Sequence, residues 1–355
     1  MRASALLVPP ALELSEPAGA FRLLEDYLDD AGFWNGETVA ELYLGYGLSQ
    51  AIRRDPSPPP PEPCPLPLLA CRIRTSPGDS PQDLSGYAVG EWAPSWAPSD
   101  HAAAIDEVRA AIARGDVYQV NLVQHLSASF TGDAHALARS LVPLRPLHPR
   151  PFEGDGWTVV SASPELFLSR RGRRVRTKPI KGTRRLGETG LAKAEKDRAE
   201  HVMIVDLERN DLSRVCEPGS LHWPELMQER ALAGVTHLVS TVEGTLREDA
   251  GLAEILEATF SGGSITGAPK IAAVDHIAKL EPVGRGASMG ALGTLRPNGD
   301  LDLALTIRTF AIADDTIHLW VGGGIVWDSD PEAEIEESWV KARPLLGAVG
   351  SLVPA

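Results

Sequence analysis

The chain has 355 residues, 43% of them hydrophobic and 23% charged, enough for one large domain or two ordinary ones. No apolar run reaches the roughly 18 to 20 residues that cross a bilayer. Thirty-four Lys and Arg against 48 Asp and Glu leave a net charge of −14, which argues against nucleic acid or an anionic membrane as partner, since phosphates are bound through excess positive charge.

Asp55–Pro67 (DPSPPPPEPCPLP) is dominated by proline, which has no amide donor and a fixed φ, so neither helix nor central strand fits. A second break at Ala93–Ser99 precedes a helix that Ser99 or Asp100 can cap and Gly115 can end, with Ile105, Val108 and Ile112 as its apolar stripe. Residues 1–98 therefore read as a short N-terminal portion packed on the core, and 99–355 as the core that carries the chemistry. Val117–His125 and Trp157–Ser161 are β-rich, and Glu165–Ser169 with Arg174–Lys178 form a hairpin turning at Gly172. Lys193–Leu212 and Pro269–Leu280 read as helices, Asp302–Phe310 and Ile317–Val321 as strands, and a last helix starts near Pro331 and runs past Lys341. Strands grouped between long helices without a βαβ rhythm point to an α+β fold. The three cysteines (Cys64, Cys71 and Cys216) lack CxxC spacing, which implies neither a disulfide framework nor a zinc site. Met1–Pro17 is too quickly broken by proline and acids to act as a signal peptide, so the expected location is cytoplasmic.

Three constellations could carry chemistry. Asp197 and Glu200 are three residues apart on a helix, as are Glu334 and Glu337, with Lys341 four residues further on. Two such faces meeting at a cleft would give an oxygen-only site suited to magnesium, although spacing alone equally describes solvated helix faces. Ser261–Lys270 (SGGSITGAPK) is a Gly-rich loop entering a helix; it is not a Walker A loop and reads equally as a structural turn. Pro179–Thr183 (PIKGT) lies among arginines and lysines, where like charges favour a neutral, nucleophilic Lys181 or simply mark a solvated basic hairpin. Arg308 and His237 are isolated polar residues in apolar strands.

Together the ordered segments GDVYQVNL (115–122), SPELFL (163–168), PIKGT, KDRAEHVMIVDLERNDLSRV (196–215), HLVSTV (237–242), GGSITGAPK (262–270), TIRT (306–309), GGGIVWD (322–328) and the 334–341 helix resemble the chorismate-utilising enzymes. That family includes the first components of aminodeoxychorismate synthase and anthranilate synthase and the isochorismate and salicylate synthases. The resemblance covers about residues 100–345. It implies two stacked antiparallel sheets with helices outside and the site between them. It also implies Mg2+ held by Glu200 and Glu337, with Asp197 and Glu334 nearby or acting through water. Arg308, Lys341 and the amides of Gly323 and Gly324 would hold substrate carboxylates, with Thr183, His237, Thr266 and Gly267 lining the pocket.

Two positions choose the member within the resemblance. Gln119 stands where water-using synthases place a lysine base, and Lys181 is the residue characteristic of aminodeoxychorismate synthases, where anthranilate synthases usually have alanine. The implied activity is that of aminodeoxychorismate synthase component I, with Lys181 as covalent nucleophile and Glu165 as acid. Chorismate and ammonia would be the substrates, the ammonia coming from a separate glutamine amidotransferase subunit because no cysteine sits in a Gly-flanked nucleophile turn. The alternatives are anthranilate synthase component I and a non-catalytic chorismate-binding or scaffold subunit. The chain departs from the family in its short N-terminal part, in lacking a tryptophan-binding LLES-type segment, and in having Ala287, Ser288 and Met289 where an aromatic is common.

Overall fold

The computed structural model describes residues 12–74, 86–185, 190, 195–232 and 235–350. Among these residues two sheets form, and every strand pairing is antiparallel. The ten-stranded sheet runs in space through Leu12–Leu14, Leu69–Arg74, Val39–Leu44, Ala291–Leu295, Leu301–Leu305, Leu166–Arg171, Arg174–Lys178, Val235–Thr245 and Ile180–Arg185, with His222–Leu232 also paired to Val235–Thr245. The eight-stranded sheet is built on the long strand Gln119–Gly132. It continues through Thr316–Ile325, Thr309–Ala313, Trp157–Ser161 and Phe152–Glu153, while Gly267–Ala268, Tyr87–Val89 and Ala93–Pro94 pair directly with Gln119–Gly132. This is the α+β sandwich that the resemblance implied. Strands from both sides of residue 98 share the larger sheet.

The sheets face each other through one continuous core. Tyr43 of the larger sheet packs on Trp157 and Phe152 of the smaller, with ring centroids 5.6 and 6.2 Å away. The smaller sheet is buried on both faces, and its strand 316–325 shows how: Ile317, Leu319 and Val321 pack toward the helices Ala134–Leu141 and Pro331–Ala348, whereas Trp320 joins the inter-sheet core. Helix Glu195–Ser213 packs against strands 180–185 and 235–245 of the larger sheet.

Residues 55–67 contain neither helix nor strand, as their prolines require. The helix foreseen after residue 99 spans Pro98–Arg114 and ends at Gly115 in the left-handed region, φ 82°. Its start differs from expectation: Ala97 is the N-cap and neither Ser99 nor Asp100 caps it, because Pro98 occupies the first turn, where its missing amide costs nothing. The expected strand 302–310 is in fact two. Leu301–Leu305 ends in the larger sheet, Thr306–Arg308 crosses, and Thr309–Ala313 enters the smaller. The crossing is hidden because Thr306, Ile307 and Arg308 continue the polar–apolar alternation of the strand before them.

Leu319 is wholly buried between the smaller sheet and its helices. Leu319→Ala is expected to lower the unfolding free energy by about 2–5 kcal/mol, read as a lower urea midpoint at unchanged m value; a loss under about 1 kcal/mol would contradict this packing.

Candidate active site

Two strands leave one sheet for the other side by side, and each crossing delivers a polar side chain into the gap. The first runs from Trp157–Ser161 to Leu166–Arg171 and carries Glu165; the second runs from Leu301–Leu305 to Thr309–Ala313 and carries Arg308. They are tied together by Leu305 N–H donating to Glu165 O at 3.0 Å, Ala162 N–H donating to Arg308 O at 3.0 Å, and a Ser161–Thr309 hydroxyl bond of 2.8 Å. Arg308 sits at φ 52°, a conformation a non-glycine residue holds only where its surroundings enforce it.

Glu165 is buried, and desolvation pushes its carboxyl up to about 7, more than Lys181, the Ile180 amide, the Ser264 hydroxyl and Arg308 can offset. Its Oε1 accepts from Ser264 Oγ at 3.1 Å. His237 Nδ1 lies 2.7 Å from Gly182 O and must donate there, leaving Nε2 as the acceptor for Arg308 at 3.4 Å. Burial pushes this imidazole down to about 4, which keeps it neutral.

Lys181 Nζ pairs with Glu200 Oε1 at 2.9 Å, and the same oxygen accepts from Gln119 Nε2 at 3.1 Å. Burial opposes ionisation of Glu200, but Lys181, Lys341 and Gln119 outweigh it and hold the carboxyl below its ordinary range. Lys341 Nζ pairs with Glu337 Oε1 at 2.8 Å and donates to Gly322 O at 2.8 Å. Glu334 accepts from Ser329 Oγ at 2.6 Å. The strand between these groups is tight: a Cβ at Gly322 would stand 1.9 Å from Leu122 O and one at Gly324 1.9 Å from Gln119 Nε2 and 3.1 Å from Glu200 Oε1, whereas one at Gly323 would meet Lys341 Nζ, Glu334 Oε2 and Glu337 Oε1 at an ordinary 3.4–3.6 Å. Among the described residues strand 309–313 pairs with this strand only as far as Leu319.

These groups line one cavity of about 560 Å3. Of the residues expected from sequence, Glu165, Lys181, Glu200, His237, Arg308, Gly323, Gly324, Glu334, Glu337 and Lys341 all line it. Thr266 and Gly267 are not among its lining residues. The loop turns inward after Ile265, Thr266 spends its hydroxyl on Ser261 and Gly262, and Gly267 pairs with Val120. The side chains of Thr183 and Asp197 lie outside the described residues. Among the described residues no three His, Cys, Asp or Glu side chains close into a ready-made metal cage. Sequence reasoning missed Ser264, which holds the acid, and Asn121, whose buried Oδ1 lacks a hydrogen-bond partner at the cavity wall. Ser264 stands in the quoted Gly-rich loop and Asn121 in the quoted 115–122 segment, but only the fold aims them. Met289 supplies apolar wall where an aromatic is common in the family.

The family described as chorismate binding enzyme matches residues 70–347. The chain is 44% identical to anthranilate synthase component 1 of Thermus thermophilus over 260 residues, 69% of this chain and 54% of that protein. It is 39% identical to aminodeoxychorismate synthase component 1 of Klebsiella aerogenes over 268 residues, 72% of this chain and 59% of that protein. It thus spans little more than half the length of these relatives. Among solved structures, anthranilate synthase component I of Streptococcus pneumoniae superposes with a TM-score of 0.75 at 28% identity, covering 86% of this chain and 80% of that one.

Glu165 titrates above its ordinary 4.5 in the fold, near 7, so the unfolded chain loses this proton first and burial costs increasingly more as pH rises between those values. Glu165→Gln removes that cost. The stability of the variant relative to the parent is expected to climb by on the order of 3 kcal/mol between pH 4 and 8 in urea titrations; a difference flat across that window contradicts the assignment.

Proposed function

The chain belongs to the chorismate-binding enzyme family, and we propose that it acts as aminodeoxychorismate synthase component I, converting chorismate and ammonia to 4-amino-4-deoxychorismate and water. The observation that carries this reading is Lys181 in the wall of the same cavity as the buried, high-pKa Glu165. A nucleophile and an acid that is protonated near neutrality are the two groups a covalent displacement needs.

Chorismate brings two carboxylates, which Arg308 and Lys341 of the cavity wall can receive. The Lys181 amine attacks C2 through its nitrogen lone pair, the ring electron pairs shift, and the C4–O bond breaks as Glu165 donates its proton, so the hydroxyl leaves as water. Ammonia then adds at C4, the pairs shift back and the C2–N bond to Lys181 breaks. A proton released from the incoming nitrogen restores Glu165. Gln119, an amide already donating to Glu200, offers no base to activate water instead. Ile265, Met289, Ile307 and Trp320 form apolar wall that limits competing solvent.

Besides Glu165, four carboxylates and three basic side chains line the cavity, an unwelcoming balance for a dianion. The donor set fits a hard divalent cation: Glu200 and Glu337 would hold magnesium, with Glu334 beside them, and the ion would supply positive charge for a substrate carboxylate. Burial pushes the thiols of Cys64, Cys71 and Cys216 up to about 12, 12 and 11, so none serves as a glutaminase nucleophile near neutral pH. We propose a separate glutamine amidotransferase subunit as the source of the ammonia.

The anthranilate synthase relatives favour a second reading, in which ammonia attacks C2 and pyruvate is eliminated. Incubation with chorismate, magnesium and ammonium separates the two. 4-Amino-4-deoxychorismate is expected, detected as 4-aminobenzoate after a coupling lyase, and fluorescent anthranilate as sole product would reject the first reading. Lys181→Ala is expected to lower that product's rate about a thousandfold or more with chorismate still bound; an undiminished rate removes Lys181 as nucleophile. Glu337→Gln is expected to raise the magnesium concentration needed for half-maximal activity about tenfold or more, and an unshifted titration would contradict its role as ligand.

A further inference from the structure

Asn121 is a polar residue of the catalytic wall to which the proposed reaction gives no task. It lines the cavity, is 6% exposed, and its Oδ1 is buried without a hydrogen-bond partner. Folded proteins rarely leave a buried carbonyl oxygen unpaired, because its desolvation is then uncompensated.

The backbone of Asn121, by contrast, is held on both sides. Its N–H donates to Thr266 O at 2.9 Å, and its O accepts from Arg285 Nη2 at 2.7 Å. Arg285, itself buried and paired with Glu281 at 2.7 Å, also donates from Nη1 to Ile265 O at 3.0 Å. One guanidinium thus fixes Asn121 together with the loop whose Ser264 donates to Glu165 at 3.1 Å. Directly opposite Asn121 in the ladder stands Gly324, which also lines the cavity. Opposed residues of an antiparallel pair share a face, and here the glycine contributes no side chain to cover the amide.

The chemistry of the reactants selects what this amide receives. The carboxylates of chorismate have Arg308 and Lys341 as counterparts, and its departing hydroxyl has Glu165. Ammonia has no counterpart among these groups. It carries three N–H donors and one lone pair, and that pair has to stay free for attack, so its site must accept hydrogen bonds. Carboxylates accept, but a negative charge favours ammonium, whose lone pair is spent on a proton. Glu200 and Glu337 are moreover held by Lys181 and Lys341. A neutral amide carbonyl accepts an N–H without that bias.

We propose that Asn121 is the ammonia-binding residue of this cavity, its side-chain carbonyl accepting one N–H and leaving the lone pair free for C4. The assignment rests on the proposed function. The N–C4 bond forms from that lone pair, the ring pairs shift, and the C2–N bond to Lys181 breaks with its electron pair going to the lysine nitrogen, which leaves as the uncharged amine. The nitrogen now on C4 is cationic and gives one proton to the Glu165 carboxylate left by the first half of the reaction.

The test uses the full chain with ammonium chloride as nitrogen source, and titrates ammonium and chorismate separately at saturating magnesium. Asn121→Leu keeps the branching of the side chain and removes both polar atoms. It is expected to raise KM for ammonium about fivefold or more, with KM for chorismate within about twofold of the parent's. Its urea midpoint is expected to be no lower than the parent's, because an unpaired buried oxygen is removed rather than a formed bond. An ammonium KM within about twofold of the parent's would overturn the ammonia site. A chorismate KM raised as much as that for ammonium would overturn it too, making the amide a contact of the ring, and a lowered urea midpoint would overturn it in favour of a structural role. The proposed function is judged on the parent alone: 4-amino-4-deoxychorismate absent from its products would overturn that function before any variant is compared.

Discussion

The site depends on two neighbouring crossings of the chain between the sheets. Backbone bonds from Leu305 to Glu165 and from Ala162 to Arg308, with the Ser161–Thr309 hydroxyl pair, lock the crossings to each other. A strand that passes between two packed layers must leave both hydrogen-bond ladders for a few residues. Here the freed residues are a carboxyl and a guanidinium, facing the gap they traverse. The acid is thus placed by the same bonds that join the layers, and its desolvation follows from that position.

Charge within the cavity is arranged in opposed pairs. Lys181 and Lys341 each hold a carboxylate of a different helix, Glu200 and Glu337, and the glycines at 322–324 leave room for both pairs against a bare strand. Glu165 differs because the charges around it only partly offset its burial. Two carboxyls lining one cavity are therefore driven in opposite directions: burial opposes ionisation of both, but Lys181, Lys341 and Gln119 outweigh it at Glu200, whereas Lys181, the Ile180 amide, Ser264 and Arg308 do not at Glu165. That division lets a single pocket hold both an ionised and a protonated carboxyl group.

Much of this was readable in the residues. Helical spacing put Glu334, Glu337 and Lys341 on one face, the turn at Gly172 set the hairpin, and the proline run was free of regular structure as required. The ordered motifs made the sandwich and the cavity residues foreseeable. Thr266 and Gly267 were misplaced because a Gly-rich loop has no periodicity to say which way each side chain turns. The strand break at Thr306–Arg308 was invisible for a related reason: Thr306, Ile307 and Arg308 keep the alternation of a strand, and alternation does not say in which sheet the strand lies.

What the sequence determined by itself was therefore local: the spacing that sets helix faces, the residues barred from regular structure, and the chemical types assembled in family order. Only the tertiary structure decided that residues as distant along the chain as Gln119, Lys181, Glu200 and Gly324 meet at one point. Periodicity fixes which side of its own element a residue occupies. What that side faces depends on strand order and on packing between layers, which are set by the burial of the whole chain.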